Sequence, residues 1–166
     1  MTTAENLGSD PPGLERHLRR LTQASAMLAD LSQADVLVAQ PADGGFRVVS
    51  HVRPMNARTI YPVDVIDDVL AMTERPLLAA AFETGEIMDG GTYLSRSDRW
   101  IRTLAVPVRF EGQVIAVLAR EFSPQIEVQA GDVETQAFAM FRRFAAMIAA
   151  GVFPFGVETR RHAHPP

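Results

Sequence analysis

Apolar positions recur along this chain in two periods, one near 3.6 and one of two, and the switches between them mark its elements. Leu14, Leu18, Leu21, Leu28 and Leu31, with Met27 beside them, make a stripe opposite Arg16, Arg19, Arg20 and Gln23. That spacing predicts an amphipathic helix from Leu14 to Ser32. Val36 to Ala39 is a short apolar strand, closed by Pro41-Ala42-Asp43-Gly44-Gly45, a strong hairpin turn signal. From Phe46 to Arg53 the period becomes two: Phe46, Val48, Ser50 and Val52 are expected on one face, and Arg47, Val49, His51 and Arg53 on the other. Pro54, lacking an N–H, ends the strand.

Residues 55–63 are expected to form a loop, and Asp64 to cap a short helical run reaching Met72. A second helix is predicted from Glu74 to Thr84, with Pro76 in its first turn, Leu77, Leu78, Ala81 and Phe82 on its buried side, and Gly85 placed to end it in the left-handed conformation. Residues 86–99 are polar and contain Gly90-Gly91, which predicts a flexible connection and a candidate functional loop. Leu104 to Phe122 is two apolar runs joined at Glu111-Gly112, the most hairpin-like stretch in the chain. Both faces of the second run are apolar, so both faces of the sheet must be covered. Pro107 predicts a bulge or an unpaired position in the first run. A loop over 123–130 leads to a last helix, capped by Asp132 and running to Ala150, with Phe138, Phe141, Phe144, Met147 and Ile148 among its wide apolar stripe. Gly151 and Pro154 stop it.

This order predicts an α+β domain with a central antiparallel sheet, the N- and C-terminal helices side by side on one face, and short helices and loops on the other. Residues 1–13 are expected to be a disordered lead-in, 14–153 the domain, and 154–166 a linker. A length of 166 residues with 47% hydrophobic content fits one buried core. The net charge of −4, with both signs interspersed, carries no footprint for a phosphate backbone, so nucleic acid is not expected as a direct partner. No apolar run approaches a membrane span, which makes the cytoplasm the expected compartment. With no cysteine, the chain has no thiol nucleophile and no thiolate metal cluster.

His51 and Arg53 share a predicted strand face, where a cation and an imidazole could hold an anionic ligand through charge-assisted hydrogen bonds. Tyr61, and Trp100 with Arg102, place aromatic rings beside cations, which suits a flat heterocycle. These five are the candidate ligand-binding residues. An arginine on a half-buried strand and a tryptophan anchoring a loop are also ordinary structural features. No histidine pair has metal-ligand spacing, and no cofactor is expected. Asp64, Asp67 and Asp68 look like paired carboxylates, but their place at a predicted helix start assigns them to capping. No catalytic constellation is present. Leu21, Leu28, Phe141 and Phe144 are candidates for a helix-mediated homodimer.

The hairpin at 104–122 resembles the closing hairpin of GAF domains. The stretches MLADLSQADVLV, PLLAAAFETG, VPVRFEGQVIAVLAR and AAGVFP together resemble, in order and spacing, the N-terminal GAF-like sensor domain of PdtaS-type actinobacterial histidine kinases, over most of residues 14–155. The resemblance implies a regulatory sensor domain that binds a small molecule, a nucleotide among the candidates, and transmits its state through the terminal helices to PAS and kinase domains in cis. Through the kinase it implies a response regulator as partner. It implies no enzymatic activity for these residues themselves. The alternative expectation is a structural dimerisation module without a ligand.

Overall fold

A computed structural model describes residues 12–55, 58–95, 97–124 and 132–154, the side chains of 132–135 excepted. The expectations for most of the lead-in and linker, and for the loop after Pro124, lie outside the described residues. Helix α1 (Leu14–Ser32) is followed by β1 (Asp35–Ala42), β2 (Gly45–Val52), β3 (Val69–Ala71), α2 (Pro76–Thr84), β4 (Met88–Leu94), β5 (Arg99–Phe110), β6 (Gln113–Phe122) and α3 (Asp132–Ala150). The strands form one six-stranded sheet in the order β3-β2-β1-β6-β5-β4, antiparallel at every pairing.

The alternation of β1, β5 and β6 divides the core in two. Leu104, Val106, Val108, Ala116 and Leu118 face α1 and α3, where they meet Leu21, Leu28, Phe141, Ala145 and Ile148. Leu37, Ala39, Ala105, Val117 and Ala119 face the other way, against Leu78 and Ala81 of α2 and against Val65. The α+β arrangement with paired terminal helices on one face is therefore present, and the buried face of α1 includes His17, Ser25 and Ser32 besides the leucines. Met27 instead points outward at 42% exposure.

Four local expectations are corrected. The helix expected to reach Met72 from Asp64 is a turn leading into the edge strand β3. The Asp64 carboxylate does accept an N–H, that of Ile66 two residues on, but in an Asx turn. Asp67 then takes a positive φ of 71° and the backbone of residues 67 and 68 bonds Val48, so the chain joins the sheet. Residues 88–94 are not a free connection: they form β4, in continuous register with β5. Glycines and polar residues suit an edge, which needs only one covered side, and Gly90 lets Leu77 of α2 approach, since a Cβ there would lie 3.2 Å from it. Pro107 pairs in register with Val117, and the irregularity falls one residue later, between Val108 and Arg109. Finally, β2 does not alternate cleanly. Val38 pairs with Ser50 but Ala39 with Val48, so Val49 is an extra residue in a bulge. His51 thereby lies on the α2 side with Phe46 and Val48, and not with Arg47.

Candidate functional site

Two acidic residues are built into the α2-facing side of the sheet. Asp35 opens β1 two residues after α1 and its cap, and it pairs in register with Glu121 near the end of β6. Both are fully buried. Each is in phase with an apolar strand face, Asp35 with Leu37 and Ala39, Glu121 with Val117 and Ala119. A buried carboxylate is tolerated only when its oxygens are bonded, and here His51 of β2 and the chain between β2 and α2 supply the donors.

Around Asp35, Oδ1 accepts the Thr59 hydroxyl at 2.6 Å and lies 3.0 Å from His51 Nε2, and Oδ2 accepts the Ile60 N–H at 2.9 Å. The carboxylate can only accept, so Nε2 carries the proton. Nδ1 receives the Val65 N–H at 3.5 Å and faces Asp64 Oδ1 at 3.4 Å. The His51 side chain is 1% exposed. The Ile66 N–H, and more weakly the charge of Arg53, hold the exposed Asp64 carboxyl below its ordinary value.

Around Glu121, Arg75 donates from Nε to Oε1 at 2.9 Å and from Nη2 to Oε2 at 3.4 Å, while the Tyr61 hydroxyl donates to Oε2. Arg75 Nη2 also reaches the Tyr61 oxygen at 3.1 Å. Burial pushes the Tyr61 hydroxyl up, and the Glu121 charge adds to it. For Arg75 burial acts to lower the value, but Glu121 and Tyr61 outweigh it and the guanidinium is held firmly charged. The rings of Tyr61 and His51 meet edge to face at 4.9 Å, joining the two clusters. Thr103, the register partner of Glu121, is also buried, and its Oγ1 has no hydrogen-bond partner among the described residues.

The network ties the segment between β2 and α2 to the first helix. The Met55 N–H donates to Asp30 Oδ1 on α1 at 3.0 Å, and Arg99 Nη1 bonds the Ile60 carbonyl at 3.3 Å. On the opposite side of the sheet, Arg120 lies against Phe122 and Phe138 and donates to the Ser32 carbonyl at the end of α1, its guanidinium pushed down to about 10 chiefly by burial.

Of the residues expected to bind a ligand, the structure brings together His51 and Tyr61, with exposed Arg53 beside Asp64. Trp100 and Arg102 lie apart from them. They are in phase with Leu104 and Val106, so they project from the terminal-helix side of the sheet. Trp100 is 55% exposed against Tyr93, and Arg102 pairs with Asp89 at 3.2 Å. Leu21, Leu28 and Phe141 are fully buried inside this one chain, with Phe144 partly so. Asp35, Thr59, Arg75 and Glu121 were not among the sequence candidates. Their signal was available for the two acids: a carboxylate in phase with the buried positions of an apolar strand. Among the described residues, no group of three or more His, Asp or Glu side chains could hold a metal, and no helix is long and apolar enough to cross a membrane.

The family model described as "Histidine kinase PdtaS, GAF domain" matches residues 12–138. Similar relatives include the sensor histidine kinase PdtaS of Mycolicibacterium smegmatis, 32% identical over 142 residues, and that of Mycobacterium tuberculosis, 33% identical over 144 residues. Each match covers 83% of this chain and 28% of the relative, so the chain spans under a third of their length. Among solved structures, the sensor region of a sensor histidine kinase superposes with a TM-score of 0.72 at 29% identity, covering 91% of this chain and 52% of that one. The GAF-B domain of DevS from Mycobacterium smegmatis, at 19% identity and a TM-score of 0.53 over 80% of this chain and 88% of that one, shares the fold.

Proposed function

This chain belongs to the GAF-domain family of PdtaS histidine kinases, and from that premise we propose that it is a regulatory sensor whose input element is the segment between β2 and α2. The observation that carries this reading is the double attachment of that segment. It is held to the sheet by Asp35 and Glu121, and to α1 by the bond from Met55 to Asp30. In the arrangement described here the network is closed, with the His51 side chain almost wholly covered. A small polar ligand, a nucleotide among the candidates, enters by exchanging partners with His51, Tyr61 and Arg75, and Arg53 stands outside to attract an anionic one. Release of Met55 and of Thr59 to Tyr61 then alters the restraint on α1, and the pair α1 and α3 passes the change to PAS and kinase domains in cis, and through them to a response regulator. Such a shift requires that the ligand bind the opened arrangement more tightly than the closed one. The setting is cytoplasmic, and the working unit is a homodimer formed on the outer faces of the terminal helices, where Met27 and Met140 are exposed.

The test is a thermal-shift screen of the chain against mono- and dinucleotides, divalent metals and haem. A ligand at a hundred times its dissociation constant stabilises by about 2.7 kcal/mol, which raises the midpoint by several degrees. A shift abolished by His51→Ala is the expected result. If no compound shifts the midpoint, and amide exchange over residues 58–75 stays slow throughout, the closed network is structural and the domain is a dimerisation module.

A further inference from the structure

Where α1 begins and α3 ends, the surface encloses a hollow of about 630 Å³, lined among others by Arg16, His17, Arg20, Phe110, Glu111 and Val152. Three independent features of this hollow point to an anionic occupant. First, α1 starts at Gly13 with no side-chain cap, so among the described residues no side chain claims the N–H groups of its first turn. Second, Arg16 and Arg20 stand one turn apart on its lining. The neighbouring cation, Arg19, is paired with Glu15 at 3.1 Å, whereas Arg16 and Arg20 have no ion pair among the described residues. Third, His17, between them on the same lining, is 92% buried (8% exposed), meets the Phe110 ring at 4.9 Å in a tilted contact, and its Nε2 has no hydrogen-bond partner among the described residues. Leaving a buried nitrogen unsatisfied is costly, and an incoming polar group can remove that cost. Burial, and then the charge of Arg20, hold this imidazole below its ordinary value.

We propose that this hollow binds a small phosphate monoester with an apolar or aromatic body. The phosphate lies between Arg16, Arg20 and the open first turn of α1, where helix N–H groups and guanidinium forks both favour it. The body lies along Phe110 and Val152, and His17 adjusts toward the oxyanion to satisfy Nε2. Glu111, on the rim, disfavours more highly charged anions. The site is separate from the network around Asp35 and Glu121. Because its walls are the start of the first helix and the chain just after the last one, an occupant clamps the two together.

The experiment is an NMR titration of the 166-residue chain with phenyl phosphate, following backbone amides and the His17 ring nitrogens, with inorganic phosphate and benzoate as parallel arms. Saturable shifts centred on residues 13–20 and Phe110 are expected, strongest with phenyl phosphate. The double variant Arg16→Gln/Arg20→Gln should weaken binding at least about tenfold, roughly 1.4 kcal/mol, with an unchanged melting curve, and Glu111→Gln should tighten it. Absence of saturable shifts at His17, or equal affinity in the double variant, overturns the site. Benzoate binding as tightly as phenyl phosphate overturns the phosphate assignment. Both readouts leave His51 intact, so failure here is distinguishable from failure of the sensing reading.

Discussion

Replacing Arg75 by Met leaves the Glu121 carboxylate buried with one donor, the Tyr61 hydroxyl, in place of three bonds. Glu121 is 0% exposed and Arg75 4%, so water cannot stand in for the lost guanidinium without opening the segment between β2 and α2. Breaking a buried ion pair from one side costs about 3–5 kcal/mol. The alternative open to the variant is to keep the carboxyl protonated. For a glutamate of ordinary value about 4.3 at pH 7 this costs about 3.7 kcal/mol, so the two routes agree and Arg75→Met should lose about 3–4 kcal/mol. The assay is urea unfolding followed by far-UV circular dichroism at neutral pH. The companion Arg75→Met/Glu121→Leu/Tyr61→Phe removes donor, charge and hydroxyl together and should recover to within about 1–2 kcal/mol of the parent. A single-variant loss below about 1 kcal/mol, or a triple variant no better than the single, would refute the reasoning.

Three further outcomes are expected. Gly45→Ala places a Cβ 1.9 Å from the Leu70 carbonyl oxygen of β3, and because backbone cannot swing aside it should cost more than about 2 kcal/mol and raise amide exchange in β3. Phe141→Ala should cost about 3–5 kcal/mol in chemical unfolding, since it empties the core between α1 and α3. The folded value of His17 lies below the 6.5 of the free side chain, so protons favour the unfolded chain: the stability it contributes is complete above that value and is lost as pH falls. His17→Leu should therefore flatten the acid side of the melting-temperature profile, and an unaltered profile would show that the imidazole is not held neutral.

Periodicity determined α1, α2 and α3, the two hairpins and the division of the core into two sides, because these follow from which residues must leave water. The family was legible too, in stretches that lie on those same elements. Tertiary structure decided the rest. Residues 64–72 carry helix-start chemistry, yet Asp67 turns the chain and the free edge of β2 claims its backbone groups. Residues 88–94 carry no strand period, yet the edge of β5 pairs them, since an unpaired ladder beside them leaves N–H and C=O groups without partners. The candidate site divides along the same line. His51 and Tyr61 were visible as residues with chemistry to offer, but the Val49 bulge, which no alternation pattern reveals, decides that they meet. Trp100 and Arg102, close in sequence type and charge, lie on the other side of the sheet through the ordinary alternation of β5. Asp35 and Glu121 lie more than eighty residues apart in the chain, and only the pairing of β1 with β6 makes them neighbours. Burial is a local property that a sequence pattern encodes. Which buried charge meets which donor depends on strand order and register, and those are settled by the packing of the whole sheet.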